Sequence, residues 1–214
     1  MSERSTVLDQ IRLAVRKIMH MLARGLNTVS GGRLSPNSIT ITGLLAHIPI
    51  AFLIASSHPL WAALLLVIFG LFDTLDGELA RQQHRDNAAG MLLDASTDRM
   101  KEVMLYAGAA YYFVATGHPY GSVWAVIALG ASLCVSYVKA KGETAIAKSG
   151  LSASEVNQLF ADGLMRFEVR MALLVLGLLT GWLLAAVVVI AILSIVTALQ
   201  RLFLITNRLA NDKS

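Results

Sequence analysis

LSPNSITITGLLAHIPIAFLIASSHPLWAALLLVIFGLF, residues 34–72, contains no Asp, Glu, Lys or Arg. A helix crosses the hydrocarbon core of a bilayer with about 20 apolar residues, so this stretch is long enough for two crossings. Ser56-Ser57-His58-Pro59 divides it, because Pro cannot continue the preceding helix. Ser35-Pro36 opens it, with Ser35 placed as N-cap and Pro36 at the first helical position. Residues 103–138 and 171–200 are equally free of charge. Over the 214 residues 56% are hydrophobic and 15% charged, against about 25% charged in an average soluble domain. The mean hydropathy is +0.62. Too few polar side chains remain to coat a soluble globule. A secreted disulfide scaffold is excluded as well, since Cys134 stands alone. So are a disordered tail and an ordinary cytosolic enzyme.

Worked outward, the pattern predicts an all-α integral membrane protein with six transmembrane helices. They fall at about residues 36–55, 60–82, 88–115, 121–141, 163–179 and 182–205, with a longer polar connection over 142–162. Ahead of them Val7, Leu8, Ile11, Ala14, Val15 and Ile18 recur at helical spacing, interrupted by Arg12, Arg16 and Lys17. That predicts an amphipathic helix lying in the membrane surface. A soluble helix packed on the rest of the chain is the alternative. A signal peptide is not, for it needs a continuous apolar core and a small-residue cleavage site. The division is a juxtamembrane segment 1–34, a six-helix domain 35–206 and a tail 207–214.

Orientation follows from the basic residues. The turns at 56–59, 116–120 and 180–181 hold no Lys or Arg, whereas Arg12, Arg16, Lys17, Arg85 and Arg208 all fall on the opposite side. Positive residues gather in cytoplasmic loops, so both termini are expected in the cytoplasm. The net charge of +4 is read as this anchoring and not as a nucleic-acid surface.

One polar constellation interrupts the apolar pattern. It runs Asp73-Thr-Leu-Asp76-Gly77-Glu78-Leu-Ala80-Arg81, then eight residues, Gly90, three residues, Asp94, three residues, Asp98. At 3.6 residues per turn, Asp73, Asp76, Gly77 and Ala80 share one face of a helix. Gly90, Asp94 and Asp98 share a face of the next. The short loop between them makes the helices antiparallel neighbours, so four carboxylates face one another across the pair. Unpaired acids at this depth cost several kcal/mol and mark function. The nearby bases are few: Arg81, Arg99 and Lys101. Bound cation is the cheaper solution, and all-oxygen ligands without His or Cys suit Mg²⁺, Mn²⁺ or Ca²⁺ and not zinc. Two ions would neutralise four aspartates and leave coordination positions open for phosphate oxygens. Gly77, Ala80 and Gly90 let a substrate or partner backbone approach closely.

At every fixed position the run resembles the signature of the CDP-alcohol phosphotransferases, D-x2-D-G-x2-A-R-x8-G-x3-D-x3-D. The six crossings, cytoplasmic termini and N-terminal surface helix are similar to that family too. The resemblance implies transfer of a phosphate-linked group from a CDP-alcohol to a hydroxyl, with release of CMP, at the cytoplasmic face of the cell membrane. It implies Asp73, Asp76 and Asp94 as metal ligands, with Asp98 completing a site for two Mg²⁺ or Mn²⁺ ions. It implies Asp98 as the general base. It also implies Asp76, Gly77, Ala80, Arg81 and Gly90 around the CDP moiety, and a homodimer.

A phosphorylated acceptor would need further positive charge. Lys139 and Lys141 end the fourth crossing, and Arg166 and Arg170, four apart, share a face at the start of the fifth. These segments are similar to those of the prokaryotic branch that joins CDP-diacylglycerol to inositol 1-phosphate. Where that branch has a Glu-Arg pair, this chain reads Met165-Arg166. Positive-inside anchoring is the plainer account of the four bases. Glycerol 3-phosphate, giving a phosphatidylglycerol-phosphate synthase, is the alternative acceptor. A small transporter is the alternative of another class, but it favours a mid-membrane site and inverted repeats, and neither is visible. His47 is expected to pack or to make a weak hydrogen bond. Asn37 and Thr40 are placed near the nucleotide, and Gly177 and Gly181 have the spacing of a helix-packing face.

Overall fold

The computed structural model describes residues 7–147 and 165–211. The described residues form helices α1 (Val7–Val29), α2 (Pro36–Ala55), α3 (Pro59–Gly70), α4 (Phe72–Gln82), α5 (Ala88–Ala115), α6 (Pro119–Ala147), α7 (Phe167–Thr180) and α8 (Leu183–Asn211), and no strand. The starts of α2, α3 and α6 at Pro36, Pro59 and Pro119 reflect a residue whose fixed φ suits the first helical turn and whose missing N–H costs nothing there.

Among the described residues four helices are long and apolar enough to cross a membrane: Pro36–Ala55, Pro59–Gln82, Pro119–Ile146 and Leu183–Ala210. The second joins α3 and α4 across a local tightening at Leu71, where Leu71 and Thr74 bond to carbonyls three residues back. The other two expected crossings do not meet the same measure. Helix α5 is 28 residues long, but Asp94, Asp98, Arg99, Lys101 and Glu102 crowd its stretch 94–102. Helix α7 has 14 residues. Most of the expected 142–162 connection, and the start of the fifth crossing at 163–164, lie outside the described residues. Residues 142–147 are helical and extend α6, because Gly142 alone does not stop a helix whose neighbours are good helix formers.

The chain divides into two compact units. The first comprises residues 1–50 and 64–101. In it α1 packs along α4, with Met19, Ala23, Leu75 and Leu79 buried together with Ile39 of α2. Connection 83–87 reverses the chain at His84, in the left-handed region at φ 53°. Gln83 holds that connection by donating from Nε2 to the Leu34 carbonyl at 2.9 Å. Asn87 then caps α5, its Oδ1 accepting the Gly90 N–H at 2.9 Å.

The second unit comprises residues 51–63 and 102–214. There α8 packs on α6 and α7, around small and branched residues such as Ala125, Ala128, Val187, Ile190 and Ala191. The glycines expected to form one packing face have separate jobs. A Cβ on Gly177 would lie 2.6 Å from Ala186 Cβ, so Gly177 lets α7 close onto α8. Gly181 ends α7 in the left-handed conformation, φ 76°. Gly108 is tighter, since its Cβ would sit 2.5 Å from the Ala51 carbonyl oxygen. Backbone cannot give way as a side-chain tip can. Gly108→Ala is expected to destabilise the protein by about 1–3 kcal/mol, read as a lower Tm in detergent micelles. The large outward residues, including Phe52, Trp61, Tyr111 and Leu199, are apolar, which suits a lipid surround.

Candidate active site

The signature residues all lie in the first unit. Helix α4 carries Asp73 and Asp76 one turn apart, and the Asn87 cap sets the phase of α5. Together they bring one oxygen each of Asp73, Asp76 and Asp94 within 4.8 Å of one another. Thr40 of α2 is buried beside them and donates from Oγ1 to Asp76 Oδ2 at 2.5 Å. It therefore orients a carboxylate. Asp94 Oδ1 is buried and accepts no hydrogen bond. A buried acceptor left without a donor costs about 1–3 kcal/mol, so this atom needs a cation or a water. A Cβ on Gly77 would meet nothing nearer than the Arg81 guanidinium at 3.7 Å, and one on Gly90 nothing nearer than Asn87 Oδ1 at 3.6 Å. A Cβ at either position would make only ordinary van der Waals contact, so protein packing does not require glycine there. Oxygen ligands and an orphaned buried oxygen together fit Mg²⁺ or Mn²⁺.

Asp98 joins this group through a lysine. Lys101, fully buried, places Nζ 2.5 Å from Asp73 Oδ1 and 3.1 Å from Asp98 Oδ1. Arg99 stands 3.6 Å from Asp98 Oδ2. Arg81, expected along the CDP pocket, lies beside Gly77 and donates from Nη2 to Glu78 Oε1 at 2.8 Å. The sequence offered no role for Glu78. It is buried, and it also binds Arg16 Nε at 3.0 Å and His20 Nδ1 at 3.2 Å, which ties α1 to the helix of the signature. Beside this cluster an open groove of about 490 Å³ is lined by residues such as Leu13, Lys17 and Gln82. Ala80 is half-buried on the same helix. His47 bonds through Nδ1 to the Gly43 carbonyl at 2.7 Å, the packing role expected of it. Asn37 Oδ1 lies near Gly90, 3.9 Å from where its Cβ would be.

The bases expected at the acceptor belong to the second unit. Lys139 lies 3.7 Å from Glu143, and Lys141 stands over the Tyr137 ring at 5.9 Å. Arg166 is the extended N-cap of α7 and not a residue of its first turn, so it does not share a helix face with Arg170. It is exposed and pairs with Glu168 at 3.3 Å. Arg170 is buried, donating from Nε to Glu102 Oε1 at 2.7 Å and from Nη1 to the Met165 carbonyl at 2.6 Å. Its Nη2 has no partner. Arg201, to which the sequence pointed no site role, is buried in the same unit and donates from Nη1 to the Val135 carbonyl at 3.4 Å.

Residues 33–199 match the family model described as CDP-alcohol phosphatidyltransferase. The chain belongs to the CDP-alcohol phosphatidyltransferase family. It is thus an integral membrane enzyme of phospholipid synthesis, and its carboxylate cluster lies within the matched span. Among curated relatives, the transferase is 29% identical over 210 residues to the archaetidylinositol phosphate synthase of Methanothermobacter thermautotrophicus, covering 95% of this chain and 96% of that one. It is 31% identical over 180 residues to the phosphatidylinositol phosphate synthase of Mycobacteroides abscessus, covering 78% and 76%. In three dimensions it is similar to the crystal structure of Mycobacterium tuberculosis phosphatidylinositol phosphate synthase with CDP-DAG bound. The TM-score there is 0.74 at 26% identity, over 88% of this chain and 94% of that one. The same synthase in complex with manganese and citrate also gives a TM-score of 0.74, over 88% of each chain.

Proposed function

We propose that this transferase moves the phosphatidyl group of CDP-diacylglycerol to a hydroxyl of inositol 1-phosphate and releases CMP. The observation that carries the chemistry is the meeting of Asp73, Asp76 and Asp94 within 4.8 Å. The acceptor rests on the relatives, which are named as synthases of inositol-phosphate lipids. In this reading Asp73, Asp76 and Asp94 would hold the metal, with Asp98 completing the site. A divalent cation bound there draws charge from the diphosphate oxygens and makes CMP a better leaving group. Asp98 takes the proton of the attacking hydroxyl, which needs a base within hydrogen-bond reach. Gly77, Ala80 and Gly90 leave room for the CDP moiety, and Asp76 and Arg81 border it. Thr40 keeps Asp76 in position. Lys139, Lys141, Arg166 and Arg170 supply charge for the acceptor phosphate, with Arg166 the one of the two arginines that is exposed. The enzyme works as a homodimer of six-crossing protomers over residues 35–206, with both termini and the site at the cytoplasmic face of the cell membrane.

The test is an acceptor panel. Purified protein with CDP-diacylglycerol is expected to release CMP with inositol 1-phosphate and not with glycerol 3-phosphate, and Arg166→Gln is expected to raise the KM for the acceptor. Release with glycerol 3-phosphate alone would replace the acceptor and keep the reaction. No release with any acceptor would overturn the reading.

A further inference from the structure

Lys101 lies just outside the signature and has no place in the chemistry above, yet it is a fully buried charge in contact with two of the signature aspartates. It follows Asp98 by three positions, so the two share a face of α5. Its ammonium lies between Asp73 and Asp98, at 2.5 and 3.1 Å, with none of the side chain exposed. A buried ion that loses its partner is strongly penalised, so this ammonium is not readily moved out of the pair. Four carboxylates carry four negative charges. The ammonium and one divalent ion offset three of them, and Arg99, partly exposed beside Asp98, adds to the same side. A second divalent ion would give the buried site an excess of positive charge and would crowd Nζ at Asp73 and Asp98. The diphosphate of a CDP-alcohol removes that obstacle. It brings negative charge, and its oxygens can accept from a lysine, which has three donors on a flexible stem.

We propose that Lys101 is the resident cation of the Asp73–Asp98 half of the site. One divalent ion then binds the free protein through Asp73, Asp76 and Asp94, and a second enters only together with the diphosphate. The inference rests on the metal-site reading given under the proposed function. It makes Lys101 a positioning residue that couples loading of the second ion to arrival of the lipid nucleotide.

The experiment counts Mn²⁺ on the full-length protein in nanodiscs by electron paramagnetic resonance, with and without CDP-diacylglycerol and with no acceptor present. The wild type is expected to bind one Mn²⁺ per chain alone and two with CDP-diacylglycerol, the second appearing as an exchange-coupled pair. Lys101→Met is expected to bind two without the nucleotide, and Lys101→Arg to stay at one. Two ions on the nucleotide-free wild type would overturn the inference and leave the metal site standing. So would a Lys101→Met protein that keeps its affinity for the first ion yet stops at one. Should Lys101→Met fail to fold, the wild-type pair of measurements decides alone. No Mn²⁺ binding under any condition would overturn the metal site and the inference together.

Discussion

Asp98→Asn is expected to lower CMP release by about 10³-fold, within the 10²–10⁴ range that a positioned general base contributes. Binding of Mn²⁺ to the free protein is expected to be largely preserved. Asparagine keeps the size of the side chain, and its carbonyl oxygen can still accept from Lys101, which also keeps its contact with Asp73. What disappears is the group that takes the proton. The Asp73, Asp76 and Asp94 oxygens that meet within 4.8 Å do not include Asp98, so the first ion keeps its ligands. CMP release and Mn²⁺ titration on the same preparation check both halves. Near-normal turnover would remove Asp98 as the base.

Asp94→Asn is expected to fail differently, losing Mn²⁺ affinity and turnover together. Even partners of metal ligands cost 10–100-fold when removed, so loss of a direct ligand is expected to exceed about 100-fold in each. Asp94 is the informative choice because its Oδ1 accepts no hydrogen bond within the protein. Its replacement therefore disturbs little besides the cation. Chelation of the wild type should reproduce the effect, and added Mg²⁺ or Mn²⁺ should reverse it in the wild type only. If Asp94→Asn bound Mn²⁺ as tightly as the wild type, the three-aspartate site would be wrong. The two variants thus separate a base from a ligand by whether metal affinity and turnover fall together.

Much of this geometry was legible in the residues. Pro36 and Pro59 mark helix starts by local chemistry alone, and α5 begins and ends where the polar loop and the Thr116-Gly117 turn say it should. The carboxylate cluster was legible because two helical periods and one short loop determine it. What depended on distant pairing was not. Glu78 sits inside the signature as an ordinary helical residue, and its partners Arg16 and His20 lie 62 and 58 positions away. Lys101 could be read as a neighbour of Asp98 at i+3, but its bridge to Asp73 spans 28 positions. The break at Leu71 falls inside an apolar run with no proline to announce it. Arg166 and Arg170 have the spacing of a shared face, yet the helix starts one residue later than that face requires.

The pairing of α1 with α4 has a practical consequence. An amphipathic first helix looks like a detachable leader, the part trimmed or replaced by a tag to improve yield. Here it forms part of the floor under the signature. Trimming the chain at Pro36 would strip Glu78 of two of its three basic partners and leave Arg81 as the remaining one. It would also uncover Leu75 and Leu79, which pack with Met19 and Ala23. Expression designs for this transferase should therefore place fusions at the far end of the chain and treat α1, Val7–Val29, as part of the catalytic body.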